Sequence, residues 1–230
     1  MIQLQRVSKR YPNGREALAN VSFFVDRGEM VFVTGRSGAG KSTLLKLIAL
    51  LERPTRGTVN VNGRNIGALK ARHIPAFRRQ IGVVFQDHKL LVDRPVFDNV
   101  ALPLVVAGAP FPEIGKRVRA ALDQVGLLGK ERMLPMELSV GEQQRVGIAR
   151  AVAGKPTLIV ADEPTGNLDP ELSIEVMRLF RRFSHVGVTV LVATHDKHIV
   201  REFGGREIVL DSGEMRGGDP DPLLPLVAHR

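Results

Sequence analysis

The chain has 230 residues, enough for one or two lobes that bury roughly 70 to 75% of the unfolded surface. Its 33 lysines and arginines against 24 aspartates and glutamates leave a net charge of +9, which favours polyanionic partners such as nucleotide, nucleic acid or anionic lipid. The absence of cysteine excludes a disulfide framework and a thiolate metal site. The first six residues lack a signal-peptide core, and the apolar stretches 44–51 and 100–109 are too short to span a bilayer. A cytoplasmic address is therefore expected, with membrane association only through a partner.

In chain order, residues 2–7 and 21–25 alternate as half-exposed strands around the turn Tyr11-Pro12-Asn13-Gly14, which predicts a small antiparallel sheet. Residues 30–34 form a continuous apolar strand feeding a glycine-rich loop, and 41–51 carry leucine and isoleucine at helical spacing. Residues 86–100 read as a loop, with Leu90, Leu91, Val92, Pro95, Val96 and Phe97 placed either to seal the core or to receive a partner helix. Strand signals vanish from 87 to 156, where 114–125 and 141–153 read as amphipathic helices. Buried-type strands are predicted at 81–85, 158–161, 188–193 and 208–210, and a helix at 171–183. The expected fold is α/β, a P-loop NTPase core with an N-terminal antiparallel β subdomain and an inserted α-helical subdomain. The core would take 1–86 and 157–216, the helical lobe 87–156, and a flexible tail 217–230, with its Asp-Pro-Asp-Pro run.

Residues Gly35-Arg36-Ser37-Gly38-Ala39-Gly40-Lys41-Ser42, followed by Thr43, match G-x-x-x-x-G-K-S between a strand and a helix. Backbone amides of 38–42 would cradle a β-phosphate, Lys41 would reach the β and γ oxygens, and the Ser42 hydroxyl would serve Mg²⁺. A glycine-rich structural turn is the bland alternative. Asp162 ends the strand at 158–161, so its carboxylate is expected at the carboxyl edge of the sheet, on Mg²⁺. Glu163, one residue on, is the candidate general base for an attacking water. A lone Asp-Glu at a strand end is otherwise an ordinary solvated terminus.

Leu138-Ser139-Val140-Gly141-Glu142-Gln143-Gln144 opens a helix just ahead of the Asp162-Glu163 strand. With the phosphate loop, it resembles the ABC ATPase family. That resemblance implies ATP and Mg²⁺ as cofactors, and a homodimer enclosing two ATP at its interface. Ser139, Gly141 and Glu142 would close over the nucleotide of the opposite subunit, beside an adjoining loop at 166–169. It also implies that Gln86 senses Mg²⁺ or water, that His195 contacts the γ-phosphate, and that Tyr11, the single tyrosine, stacks on adenine. Val140 stands where the family usually has glycine, and its bulk is expected to hinder closure.

Residues 11–14, 37–46, 82–91 and 98–104 are similar to the cell-division members of that family, most specifically Gln86-Asp87-His88-Lys89-Leu90-Leu91. The likeness runs to about Gly213. It implies a membrane partner, FtsX, at the cytoplasmic face of the inner membrane, and control of peptidoglycan hydrolysis across it. The rival is the ATPase of a lipoprotein-releasing or macrolide-exporting transporter. A P-loop kinase would need neither the Ser139 segment nor His195. A DNA-repair ATPase would carry coiled coils or zinc modules for which the chain has no room.

Overall fold

The computed structural model describes residues 1–217; the tail expected beyond them lies outside the described residues. The chain begins with β1 (Ile2–Arg10) and β2 (Glu16–Val25), an antiparallel pair joined by a turn in which the Tyr11 amide donates to the Arg15 carbonyl at 2.9 Å. Next come β3 (Met30–Thr34), α1 (Lys41–Ile48), β4 (Arg56–Val61) and β5 (Arg64–Asn65). A short α2 (Ile74–Arg78) precedes β6 (Ile81–Val84). Three helices then intervene: α3 (Val96–Val106), α4 (Phe111–Gln124) and α5 (Val140–Ala153). The chain continues through β7 (Leu158–Asp162), α6 (Pro170–His185), β8 (Thr189–Ala193), α7 (Lys197–Phe203), β9 (Arg206–Asp211) and β10 (Glu214–Gly217).

The strands form two sheets. One is antiparallel, ordered β2-β1-β4-β5; the other is ordered β10-β9-β3-β8-β7-β6, parallel except for β10 at its edge. Strands of the larger sheet are apolar on both faces because both faces are covered. On β7, Leu158 and Val160 join a core shared with α1 and the antiparallel sheet, whereas Ile159 and Ala161 join a core shared with α3 to α6. Helix α1 buries Leu44, Leu45, Leu47 and Ile48 in the first core. The apolar residues of α3, α4 and α5 are continuous with the second, so these helices share the sheet's core.

Three elements differ from the sequence expectation. The N-terminal sheet has four strands, the extra hairpin β4–β5 turning at Asn62-Gly63, both with positive φ (52° and 73°), as a two-residue primed turn demands. The stretch expected as loop through residue 100 becomes helical at Val96, with Pro95 at the cap position. Helix α3 has four valines among eleven residues and little polar contrast, so its helicity comes from packing, with Val96, Val100 and Leu104 fully buried. Helix α1 also stops at Ile48, short of residue 51, and Leu50 adopts a left-handed φ of 52°.

Candidate active site

Four strands of the larger sheet, β3, β6, β7 and β8, deliver their carboxyl ends to one edge, where open α/β sheets place ligands. The loop leaving β3 is shaped by glycine. A Cβ on Gly35 (φ 140°) would fall 2.1 Å from the Leu210 carbonyl oxygen, and one on Gly40 (φ 107°) would fall 2.5 Å from that of Ala17. Only glycine fits either place. Gly40 is also the residue preceding α1; it provides no side-chain cap, and the first turn of α1 holds no acidic residue. The first amides of that turn have no intrahelical partner, and Lys41, Ser42 and Thr43 line the cleft, an arrangement suited to an anion.

Lys41 is 6% exposed, and its Nζ donates to the Gly35 carbonyl at 2.8 Å and the Arg36 carbonyl at 3.3 Å. It also lies 3.4 Å from Glu163 Oε1. The Ser42 hydroxyl donates to Asp162 Oδ1 at 3.0 Å, so two hard oxygen atoms of the kind a small divalent cation prefers meet beneath the loop. Burial pushes the Asp162 carboxyl above its ordinary value, with the Ser42 bond opposing and the Glu163 charge reinforcing the shift. Glu163 has φ 46°, and its amide donates to the Ala193 carbonyl at 2.9 Å, which turns its side chain out of line with the strand. That side chain is mostly buried; Oε1 lies 2.9 Å from His195 Nδ1, and the His195 amide donates to Oε2 at 3.4 Å.

Lys41, Ser42, Glu163 and His195 share one cleft of about 570 Å³, also lined by Tyr11, Ser37, Gly38, Gly40, Thr43 and Gln86; Asp162 does not line it and is joined to it through the Ser42 hydroxyl. The Tyr11 hydroxyl lies 3.4 Å from Thr43 Oγ1, and Lys9 Nζ sits 5.0 Å from the ring centre. Gly35 and Arg36 line the far side of the loop, in a second hollow that His195 also borders. Ala39 is buried in the core beneath the loop. Two cations that the sequence reading missed also line the cleft, Arg15 and Lys46. Lys46 lies four residues after Ser42 on α1, and that helical spacing was a usable signal. Arg15, which reaches the Gly38 carbonyl at 3.4 Å, ends an ordinary turn and had none.

Ser139, Gly141 and Glu142 do not line this cleft. They form the opening turn of α5, closed by a reciprocal capping box. The Glu142 amide donates to Ser139 Oγ at 3.3 Å, and the Ser139 amide donates to Glu142 Oε2 at 3.0 Å. Lys130 Nζ donates to Glu142 Oε1 at 2.5 Å; with the Ser139 amide, it holds the Glu142 carboxyl below its ordinary value. A Cβ on Gly141 would fall 2.7 Å from Leu172 Cδ1 of α6, the far end of a partly buried side chain that would have to turn aside. Val140, the first residue of α5, is half exposed.

A phosphate loop, a strand ending in Asp-Glu, a histidine after the next strand and a remote capped turn define a nucleotide-handling α/β protein. The chain belongs to the ABC transporter family, whose pattern it matches over residues 18–166. Among curated relatives, it is 56% identical over 218 residues to the cell division ATP-binding protein FtsE of Escherichia coli (strain K12), covering 95% of this chain and 98% of that protein. It is 48% identical over 213 residues to the FtsE protein of Bacillus subtilis (strain 168), covering 93% of each. A solved structure of the ATP-binding cassette MJ0796, a dimer in a post-hydrolysis state bound to ADP and Pi, superposes with a TM-score of 0.88 at 37% identity, over 96% of this chain and 98% of that one.

Proposed function

We propose that this chain is the Mg²⁺-dependent ATP-hydrolysing subunit of a bacterial cell-division complex, acting as a homodimer with two ATP at its interface. The observation that supports this most is the meeting of Lys41, Glu163 and His195 beside the uncapped start of α1, with Ser42 and Asp162 hydrogen-bonded beneath. The amides of 38–42 would bind the phosphates, and Tyr11 would stack on the base. Ser42 and Asp162, with Gln86 nearby, are the residues suited to hold Mg²⁺, which when bound would neutralise phosphate charge. Glu163 would take the proton from the attacking water, and His195 would fix its carboxylate and meet the γ-phosphate. Lys41 and His195 both engage Glu163 Oε1. A γ-phosphate would compete for Lys41 and free that oxygen.

Ser139, Gly141 and Glu142, remote from their own cleft, would close over the nucleotide of a second copy. The dimeric MJ0796 structures favour that arrangement. The names of the curated relatives favour division over lipoprotein release or macrolide export. No helix among the described residues is long and apolar enough to cross a membrane. The chain would therefore act peripherally at the cytoplasmic face of the inner membrane through FtsX, with peptidoglycan hydrolysis as the controlled output.

Glu163→Gln tests the chemistry. The amide keeps the side chain's shape but cannot take a proton, so hydrolysis should fall by about 10² to 10⁴ while ATP still binds. Near-normal phosphate release by the purified variant would remove Glu163 from this role.

A further inference from the structure

The cleft does not explain why the segment after Gln86 is held as it is. His88 and Lys89 are consecutive non-glycine residues in the left-handed region, with φ 56° and 49°. A side chain in that region is strained, so the pair persists only if its surroundings impose it. Two side chains hold this segment, Asn99 just after the pair and Arg150 at the pair itself. Asn99, fully buried on α3, accepts from the Leu91 amide at 2.7 Å and donates to the Leu91 and Arg94 carbonyls, both at 3.0 Å. Arg150, near the end of α5, donates through Nη1 to the Lys89 carbonyl at 2.6 Å and through Nη2 to the His88 carbonyl at 2.5 Å.

Arg150 is largely buried, yet no carboxylate among the described residues lies within ion-pair distance of it. A buried guanidinium is costly unless its donors are used, and here they are used on the two strained residues. Gly147, one turn earlier on α5, presents only hydrogen toward the same place; a Cβ there would stand 3.9 Å from the His88 carbonyl oxygen. Arg150 lies eleven residues from Ser139 along one unbroken helix, about 16 Å at the α-helical rise.

We propose that Arg150 is a positioning residue: from the helix that begins at Ser139, its guanidinium clamps the His88 and Lys89 carbonyls and so sets where Gln86 stands in the cleft. The catalytic consequence rests on the ATPase reading above, whereas the clamp itself does not.

The absence of cysteine makes the clamp directly measurable, since Lys89→Cys gives a single site for a nitroxide label in the full chain. In the nucleotide-free protein, Arg150→Lys and Arg150→Gln should both raise label mobility, with Arg150→Lys retaining the parent's melting temperature and its affinity for ATP. In unlabelled protein, Arg150→Lys should lower kcat by about tenfold to a hundredfold with KM for ATP unchanged, as expected for misplacement near the chemistry. Losses from Gln86→Ala and Arg150→Lys should be less than additive, because one acts through the other. His88→Gly, which takes the same φ without steric cost, should restore part of the kcat lost in Arg150→Lys. An unchanged label spectrum in the folded Arg150→Lys protein would overturn the clamp. Additive losses would overturn its action through Gln86. If the parent hydrolyses no ATP, the proposed function fails while the label spectra still decide the clamp.

Discussion

Gly40→Ala and Gly38→Ala separate two demands of the phosphate loop. Both glycines have positive φ, 107° and 81°. At Gly38, an added Cβ meets only Arg15 Nη2 at 3.8 Å, so the variant incurs conformational strain alone, about 1 to 2 kcal/mol. At Gly40, the Cβ would fall 2.5 Å from a backbone oxygen and 2.8 Å from Leu18 Cδ2, and the backbone cannot rotate aside. Overpacking of that kind adds about 1 to 3 kcal/mol, for a combined cost of about 2 to 5 kcal/mol. For a chain of this size each kcal/mol lowers Tm by about 2 to 4 °C, which predicts a fall of about 4 to 20 °C for Gly40→Ala and about 2 to 8 °C for Gly38→Ala. Circular dichroism melts with and without ATP measure both effects, and Gly40→Ala should also lose most of the stabilisation by ATP. A Gly40→Ala protein that melts no lower than Gly38→Ala would refute the steric account of the loop.

Two further outcomes are expected. In a Glu163→Gln background, Val140→Gly should strengthen ATP-dependent dimerisation by clearing the face of the Ser139 turn, while Ser139→Arg should abolish it through bulk and misplaced charge. Sedimentation velocity checks this, and identical dimer fractions for Val140→Gly and its parent would show that the valine is accommodated. Glu142 has its carboxyl lowered by Lys130 and the Ser139 amide, so its contribution is complete above the ordinary carboxylate range and fades as pH falls through the depressed folded value. Glu142→Gln should therefore lower Tm most at neutral pH and least in acid, and a deficit that does not change with pH would count against that assignment.

The legible parts of the molecule are those where one residue type alone satisfies a local constraint. Gly35 and Gly40 stand against backbone oxygens, and the apolar run of β7 is buried on both sides, so sequence and structure coincide there. The remaining elements depend on contacts distant in sequence. The β4–β5 hairpin is short and half exposed, although Asn62-Gly63 marked its turn. Helix α3 is rich in β-branched residues and is helical because its neighbours bury it. The closeness of Gly141 to Leu172 and the hold of Arg150 on residues 88 and 89 join positions 31 and some 61 apart. No pattern along the chain announces such pairs.

The two-sided burial of β7 also bears on how this chain tolerates insertion and deletion. A slip of one residue would exchange Leu158 and Val160 with Ile159 and Ala161 between the two cores, replacing apolar side chains with apolar side chains. Hydrophobicity alone therefore marks the alignment of this strand weakly. The same slip would carry Glu163 into the place beside Ser42 and move Asp162 away from it, replacing a short carboxylate with one longer by a methylene beneath the loop. Lys41 and His195 would lose the carboxylate they now share. In this strand the interior forgives a frameshift of packing, and the alignment is policed from its last two residues.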